Sequence, residues 1–243
     1  MVKIILFIVT CLCLSGCSED YYLREANRYC ELGEFEKAIT CYDKALAKNP
    51  DNYNVYIDKG ITLGDMMTKE EEAVNIFSEA IKRFPGKAYA YYCRAESYMR
   101  MGKYENALED YNSTLKIAVG SGNIPIRIKG VDNDFFHYDF GYDDDIDPYT
   151  VYSERAIAYY YLDSIMPAWI DLNFCISKSK ELAQSYYWRA FIYLRMNKTH
   201  DACNDLKKAA SLGYSEALVD YKRYCGCDTI RQQLDKRYNK AWK

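Results

Sequence analysis

The sequence predicts an all-α fold in which helical hairpins repeat about five times and stack as a solenoid, with one acidic and aromatic insertion that is not helical. A small residue recurs in every second helix at intervals of 35, 34, 61 and 34 residues. Around it, apolar residues follow at i+4 and i+7, which marks one face of a helix. Glycine or proline separates the stripes, where helices turn or stop. The recurring residues are Ala38, Ala73, Ala107, Ala168 and Ala202.

The composition is that of a folded protein. Hydrophobic residues make up 49% of the 243 residues and the net charge is −3, so the chain has apolar surface to bury and disorder is excluded as its main state. The balance of 32 Lys and Arg against 35 Asp and Glu argues against a partner bound by neutralising phosphates, so no nucleic-acid partner is expected. The unusual feature is the presence of 26 tyrosines.

The N-terminal residues 1–16 predict a cleaved signal peptide. A basic start at Lys3 precedes an apolar segment, 4–14, which is too short to span a bilayer core of about 30 Å. The following segment 14–17, Leu-Ser-Gly-Cys, resembles the lipobox of bacterial lipoproteins. This resemblance implies cleavage before Cys17 and acylation of Cys17, which would anchor the protein in a lipid bilayer.

The residues after the cysteine concern the location of the protein. By resemblance to lipoprotein sorting rules, Ser18 favours the outer membrane over the inner one. Ser18, Glu19 and Asp20 also resemble an acidic signal for export to the cell surface. We therefore expect a lipid-anchored protein of the bacterial cell envelope, on the outer membrane, with the periplasmic and surface faces as open alternatives.

Each repeat is predicted to pair two helices. In the first helix, tyrosine, a small residue and tyrosine often take positions i, i+4 and i+7, as in 91–98. Small residues let the helices approach closely, and the rings fill the wider gaps. Gly33 and Gly102 are expected to turn the chain with positive φ, and Pro50 and Pro85 to end second helices.

These features resemble the tetratricopeptide repeat, a helix–turn–helix unit of 34 residues. The fourth unit departs from the pattern, because Asp163 replaces the turn glycine and Pro167 lies in the first turn of its second helix. Such arrays bury their apolar faces only by stacking, so their ends need caps. The predicted organisation is a signal peptide in 1–16, repeats one to three in 17–121, an insertion in 122–148, repeats four and five in 149–216, and a capping helix with a basic C-terminal helix in 217–243.

The insertion combines an alternating segment with acids and aromatic rings. Ile124, Ile126 and Ile128 alternate with proline and basic residues, which predicts a short strand or hairpin. Four acids between 143 and 154 follow the spacing of a calcium-binding loop, but Pro148 stands where that loop needs glycine. A surface module that binds calcium or a glycan is one interpretation. An inert acidic loop is the other.

The cysteines leave two possible bridges. Of ten, seven remain after the two in the signal peptide and Cys17 are set aside, so at least one thiol is unpaired. Cys203 and Cys225 fall on adjacent predicted helices, and Cys30 and Cys41 on the two helices of the first hairpin. An exported protein permits either disulfide. Buried free cysteine, acting as a small apolar side chain, is the alternative.

No catalytic or cofactor motif is present. The sequence lacks the nucleophile-elbow, zinc-peptidase, phosphate-loop and dinucleotide-binding patterns. The two histidines, His137 and His200, lie far apart and no Cys-x2-Cys occurs, so no metal site and no cofactor is predicted. We expect a protein that is not an enzyme.

The resemblance implies that a partner binds a concave groove built from first helices. The carboxylate-clamp members of the family need basic residues at set positions, so binding of a chaperone tail is not expected here. Asn27 matches the clamp pattern, but the other clamp positions hold Leu23, Asp58, Tyr89 and Cys93. An apolar, tyrosine-rich groove remains, which suits an extended peptide or a helix; packing of the rings between repeats is the alternative. The groove positions are Leu23, Asn27, Tyr92, Glu96, Ile157, Tyr160, Tyr187, Phe191 and Arg195.

Three functions fit these predictions. The first is a membrane-anchored scaffold that binds another envelope or surface protein. The second is an accessory factor for outer-membrane protein assembly or pilus-type biogenesis. The third is a surface module that binds calcium or a glycan through the insertion.

Overall fold

The computed structural model describes residues 18–118, 146–180 and 182–226. Three predictions lie outside these residues. They are the signal peptide with acylated Cys17, all but the end of the insertion, and the basic C-terminal helix.

The chain divides into two compact units, Met1–Met101 and Gly102–Lys243. Unit 1 holds the first two repeats and the first helix of the third, and unit 2 holds the rest. The all-α repeat fold is confirmed, because in the described part of the chain the secondary structure is helical, without a strand. Within the same part, no helix is long and apolar enough to cross a membrane.

Five α-helices lie in the described residues of unit 1. Helix α1 packs on α2, α3 on α4, and α4 on α5. A π-helical turn, Thr62–Met66, follows α3 directly. The helices are α1 (Glu19–Glu31), α2 (Phe35–Lys48), α3 (Tyr53–Ile61), α4 (Glu70–Arg83) and α5 (Ala88–Arg100).

Unit 2 contains the remaining helices. Helix α6 packs on α7, and the hairpins α7–α8 and α9–α10 pack on each other through α8 and α9. The last described helix, α11, covers residues 215–226. The others are α6 (Tyr104–Ala118), α7 (Pro148–Tyr161), α8 (Ile165–Ser177), α9 (Leu182–Arg195) and α10 (Thr199–Ser211).

Small residues lie where paired helices meet. Ala26 of α1 and Ala38 of α2 are fully buried in one apolar cluster. Between α3 and α4, the ring of Phe77 is 1% exposed and lies over Gly60. A Cβ on Gly60 would be 2.3 Å from Cε1 of that ring, so this approach of the two helices requires glycine.

The turns between paired helices use residues in the left-handed region. Gly33 and Gly102 have φ of 72° and 70°, as the sequence predicts. The same turn position holds Thr68, Asp163 and Asn197, with φ of 54°, 58° and 57°. Asp and Asn tolerate this region better than other side chains, whereas a β-branched threonine there is strained.

The second repeat contains one extra residue, and the π-helical turn absorbs it. Twelve positions separate Ala26 from Ala38 in the first repeat, whereas thirteen separate Gly60 from Ala73 in the second. In the turn, the N–H of Met67 donates to the carbonyl of Thr62, five residues earlier, at 3.2 Å. This accounts for the interval of 35 among intervals of 34.

The first helix of the fourth repeat begins at the last residue of the predicted insertion. Helix α7 starts at Pro148, whose fixed φ and missing N–H suit a first helical position. The side chain of Asp147 caps it, since Oδ1 accepts from the N–H of Tyr149 at 3.1 Å. The predicted ends of second helices agree with the structure, because α2 and α4 stop two residues before Pro50 and Pro85.

Candidate functional site

Eight aromatic side chains of unit 2 form one continuous set of ring contacts, which we call the aromatic surface. They come from the start of α6, the end of α7, the middle of α9, the residue before α11, and α11 itself. Tyr161 and Tyr224 are 47% and 38% exposed, and the other rings are partly buried. The members are Tyr104, Tyr160, Tyr161, Tyr187, Trp188, Phe191, Tyr214 and Tyr224.

Trp188 and Phe191 lie at the centre of this surface. The ring centroid of Trp188 is 5.4 Å from that of Tyr160 and 5.9 Å from that of Phe191. Phe191 in turn contacts Tyr187 at 5.0 Å and Tyr224 at 6.0 Å, both edge to face. Edge-to-face contacts are favoured by the ring quadrupoles and hold the rings in place. A pre-organised set of rings loses little conformational entropy when a partner binds.

Helix periodicity explains why α9 contributes most to the surface. Tyr187, Phe191 and Arg195 are spaced by four residues and therefore share one side of the helix. A neighbouring side carries Ala190, which is fully buried and packs in one cluster with Ala202 of α10. Ala190 thus lets α9 pack closely against α10, and the adjoining side of α9 carries the larger aromatic side chains.

The charged groups that border the aromatic surface are held by partners inside unit 2. The Arg195 guanidinium lies 4.1 Å from the centre of the Tyr160 ring and donates to Oδ1 of Asp163 at 2.6 Å. At the other end, the hydroxyl of Tyr187 donates to Oδ2 of Asp220 at 2.8 Å. Burial, and then the carboxylate of Asp220, raise the pKa of Tyr187, so the phenol stays neutral. The surface therefore offers a partner mainly ring faces.

A buried charged network lies inside unit 2. Nε and Nη2 of Arg155 donate to the two carboxylate oxygens of Asp171 at 2.8 and 2.9 Å, and Nη1 donates to Oδ1 of Asn112 at 2.7 Å. The guanidinium also lies 5.1 and 5.7 Å from the ring centroids of Tyr152 and Tyr159. Burial raises the pKa of Asp171, and the contact with Arg155 opposes this shift. The arginine thus joins three helices.

The same arrangement recurs 34 residues later, where Arg189 binds Asp205. The sequence analysis missed this network. Its signal is Tyr-x2-Arg-x3-Tyr with Asp sixteen residues after the arginine, a pattern that the sequence also has at Arg94 and Asp110. Part of the tyrosine excess therefore serves to enclose buried arginines.

Five of the predicted groove residues belong to unit 2. The structure brings Tyr160, Tyr187 and Phe191 together in the aromatic surface, with Arg195 at its border. Ile157 is 6% exposed and offers almost no surface to a partner.

The other five rings were not among the predicted groove residues. Consecutive aromatic residues at 159–161 and 186–188 could have indicated two of them, Tyr161 and Trp188. Because successive residues of a helix are rotated by about 100°, three rings in a row cannot all face the core.

The other four predicted groove residues belong to unit 1. Leu23 packs against the edge of the apolar cluster formed by the first repeat, and Asn27 is exposed. Tyr92 of α5 stacks on Tyr89 with centroids 6.1 Å apart, and Glu96 is partly buried one turn later. Tyr92 is thus the member of this group that belongs to a pair of stacked rings.

The positions of a carboxylate clamp in unit 1 carry no basic side chain. Burial raises the pKa of Cys93 to about 12 and the pKa of Tyr89 to about 12, so both stay protonated and neutral. Burial also raises the pKa of Asp58, because a charged carboxylate loses hydration when it is buried. Because none of these groups is cationic, they do not form the basic site that a C-terminal carboxylate needs.

Of the two disulfide bonds that the sequence allows, the structure contains one. Cys203 of α10 and Cys225 of α11 form a disulfide, with an S–S distance of 2.02 Å. Cys30 and Cys41 are both free. The sulfur of Cys30 lies 3.7 Å from the hydroxyl of Tyr42, and Cys41 is buried in the apolar cluster of the first repeat. Cys41 therefore acts as a small apolar side chain.

The described ranges contain no group of three or more His, Cys, Asp or Glu side chains placed to hold a metal ion. Two of the four acids with calcium-loop spacing lie there. Asp147 caps α7, and Glu154 accepts from Nε2 of Gln184 at 2.8 Å. The other two acids, at 143 and 145, and the rest of the calcium or glycan module fall outside the described residues.

Three family models match segments of this helical-hairpin array. One, described as "TPR repeat", matches residues 26–66, and two described as "Tetratricopeptide repeat" match 88–118 and 183–212. The chain contains tetratricopeptide repeats. All three models describe the repeat unit.

Curated proteins resemble segments of this tetratricopeptide-repeat chain. The "Peroxisomal targeting signal receptor" of Eremothecium gossypii is 33% identical over 100 residues, which are 38% of the chain and 17% of the receptor. "Tetratricopeptide repeat protein 6" of Homo sapiens is 33% identical over 158 residues, which are 63% and 30% of the two chains. "Mitochondrial import receptor subunit TOM70" of Rattus norvegicus is 26% identical over 102 residues, 42% of the chain and 17% of the subunit. The chain thus matches less than a third of the length of each.

Solved structures share the tetratricopeptide-repeat fold. "MamA 41-end from Desulfovibrio magneticus RS-1" has a TM-score of 0.64 at 15% identity and covers 82% of this chain and 97% of its own. "Crystal Structure of the Yeast Tom70" has a TM-score of 0.62 at 17% identity, with coverage of 91% and 43%. At these identities the likeness concerns the fold alone.

Proposed function

We propose that this tetratricopeptide-repeat protein is a lipid-anchored scaffold of the bacterial cell envelope that binds a segment of another envelope protein through its aromatic surface. The single observation that carries the proposal is the continuous set of partly exposed rings on α6, α7, α9 and α11. Tyrosine and tryptophan give large contact areas with few torsion angles to freeze, and the tyrosine hydroxyls can bond to a peptide backbone.

The charges at the border of the aromatic surface favour an uncharged partner segment. Arg195 already donates to Asp163, so a carboxylate of the partner would have to displace that contact. Asp220 already accepts from Tyr187. The partner that fits these surroundings is an extended or helical segment whose contacting side chains are apolar or aromatic.

The N-terminal sequence supports the location. The lipobox-like segment ends at Cys17, and α1 begins at Glu19. Acyl chains on Cys17 would therefore hold the first repeat directly at the membrane. Several chains anchor a protein stably, whereas one does so only marginally.

A second candidate function is favoured by the comparisons. Two of the relatives are, by name, a receptor for a peroxisomal targeting signal and a subunit of a mitochondrial import receptor. Recognition of a segment of a protein in transit would make this chain an accessory factor for outer-membrane protein assembly or pilus-type biogenesis. The third function, a calcium- or glycan-binding module, stays a prediction about residues outside the described ranges.

Peptide selection tests the aromatic surface as the binding site. The mature chain with Cys17→Ala is immobilised, and a displayed library of random peptides of about 12 residues is selected on it. We expect the selected peptides to be apolar and aromatic. Phe191→Ala and Trp188→Ala should each weaken their binding by about tenfold or more, because truncation of a central ring removes a hot spot.

Tyr21→Ala is the matched control, because Tyr21 lies on α1 with 42% exposure and outside the aromatic surface. Selected peptides that bind Phe191→Ala and Trp188→Ala as tightly as the parent chain would show that the site lies elsewhere.

Two cellular experiments separate the remaining parts of the proposal. Cys17→Ala in the full chain should move the protein from the membrane fraction to the soluble fraction, and retention in the membrane would contradict the anchor. Deletion of the gene followed by a normal outer-membrane protein profile would remove the second candidate function and leave the scaffold.

A further inference from the structure

We infer that α11 is part of the partner-binding surface, and that the Cys203–Cys225 disulfide holds it there, so that full binding requires the oxidised protein. The inference rests on the proposed function of the aromatic surface. Helix α11, predicted to be a cap, would then also bind the partner. Binding would depend on the redox state of the compartment that holds the protein.

Contacts with the centre of the aromatic surface place α11 in it. The ring of Tyr224 lies 6.0 Å from that of Phe191 and is 38% exposed, so a partner on Phe191 can touch both. Oδ2 of Asp220 accepts from the hydroxyl of Tyr187 at 2.8 Å, and Tyr214 stacks on the same ring at 4.5 Å. Residues of α11 and the position before it therefore complete the surface and orient a ring of α9.

Apart from the disulfide, the apolar contacts of α11 come from Ala217 and Tyr221, which pack in the cluster of α9 and α10, and from the ring of Tyr224 on Phe191. Ala217 and Cys225 are buried, whereas Leu218 and Val219 are 51% and 60% exposed. A helix of this length is marginal by itself in water, so it depends on what attaches it.

A turn connects the start of α11 to α10, and the bridge from Cys225 to Cys203 ties down its far end. The disulfide thus attaches the C-terminal end of α11 to α10, whereas the turn attaches its N-terminal end.

Reduction is a two-electron exchange with a dithiol. A thiolate of the dithiol attacks one sulfur, the Cys203–Cys225 bond breaks, and the second thiolate closes a cyclic disulfide as both cysteines take up protons. Cys203 is only partly buried, whereas Cys225 is 3% exposed. Loss of a bridge across 22 residues should make opening of α11 more frequent on the order of 100-fold. An oxidising envelope compartment preserves the bridge.

The test compares oxidised and reduced protein with the same peptide. The probe is the highest-affinity peptide selected on the oxidised mature chain, and hydrogen exchange of the amides in 215–226 is followed in parallel. Dithiothreitol, and the double variant Cys203→Ser/Cys225→Ser, should each weaken binding by about tenfold and speed exchange in 215–226. Bound peptide should slow exchange there in the oxidised protein.

Two single variants keep the test independent of stability. Tyr224→Ala in the oxidised protein should weaken binding by about tenfold without faster exchange in 215–226. Leu218→Ala, an exposed position on the same helix, should change neither measurement. If the double variant loses helical circular dichroism, Tyr224→Ala and peptide protection decide the question.

Different results would contradict the role of α11 and the proposed function. Equal affinity of the oxidised and reduced proteins overturns the role of the disulfide, and unchanged affinity in Tyr224→Ala overturns the role of α11. Either result leaves the proposed function intact as long as binding stays sensitive to Phe191→Ala. Affinity that does not change in Phe191→Ala overturns the proposed function, and with it this inference.

Discussion

Arg189 donates to both carboxylate oxygens of Asp205, at 2.7 and 2.8 Å, and Arg155 makes the same contact with Asp171. The remaining nitrogen of Arg189 donates to Oδ1 of Asn173 at 2.6 Å, so the side chain joins α8, α9 and α10. A bidentate arginine accepts few other geometries. This contact therefore fixes how one hairpin of unit 2 sits on the next, in addition to the apolar packing.

The Arg155–Asp171 pair should be costly to break from one side. Their side chains are 9% and 7% exposed, so Arg155→Met leaves a carboxylate in the interior without its partner. We expect the free energy of unfolding, from denaturant titration, to fall by about 3–5 kcal/mol. The double variant Arg155→Met/Asp171→Leu should recover most of this loss, because apolar side chains of similar volume need no partner.

The exposed ion pair of Lys37 and Glu34 supplies the control for these variants. Lys37→Met should leave the unfolding transition where it is, since exposed ion pairs contribute little. A double variant as unstable as Arg155→Met would mean that side-chain shape, and not the unpaired charge, causes the loss.

The repeat fold could be predicted because its signal is periodic. Small residues such as Ala38 recur at nearly constant spacing, and only a close helix pair needs them there. The π-helical turn could not be predicted in the same way. The interval of 35 reveals an extra residue, but either a longer turn or a hydrogen bond to the fifth residue back can accommodate it.

The candidate site could be predicted only in part. Tyr187 and Phe191 were predicted from their position in the repeat, which the resemblance supplies, and their spacing of four residues puts them on one side of α9. Tyr224 belongs to a helix that contacts α9 only through tertiary packing, and no spacing within the sequence places it there. The buried Arg155 was missed for another reason, since charged residues are rarely buried and are taken to be solvated unless a partner is known.

Gly60→Ala should destabilise unit 1. The added Cβ would lie 2.3 Å from the ring of Phe77, and neither α3 nor α4 can move without disturbing the core between them. Overpacking of this kind costs about 1–3 kcal/mol, measurable by thermal or denaturant unfolding. At Gly86 a Cβ meets no heavy atom within 4 Å, so Gly86→Ala is the control with an unchanged transition. Equal effects at the two positions would contradict the close approach.

Thr68→Gly should stabilise the protein. Thr68 has φ of 54°, which glycine adopts without the Cβ clash that costs other residues about 1–2 kcal/mol. Part of this gain is lost, because glycine makes the unfolded chain more flexible, so we expect a net gain of about 0.5–1 kcal/mol in unfolding free energy. The reverse change at the equivalent turn, Gly33→Thr, should lose stability. A less stable Thr68→Gly would show that the threonine side chain makes contacts that outweigh its strain.

Alkaline pH should weaken unit 1 through Cys93. Burial raises the pKa of this thiol from 9.0 to about 12, so it keeps its proton in the folded protein and releases it when the chain unfolds. Its contribution to stability is therefore complete below pH 9 and is lost as the pH rises toward 12. At pH 10.5 the loss should be about 2 kcal/mol. Unfolding titrations between pH 8 and 11 should give a steeper decline for the wild type than for Cys93→Ala, and native thiolate absorbance reports the pKa directly. Parallel declines would mean that Cys93 already ionises near its ordinary pKa in the folded state.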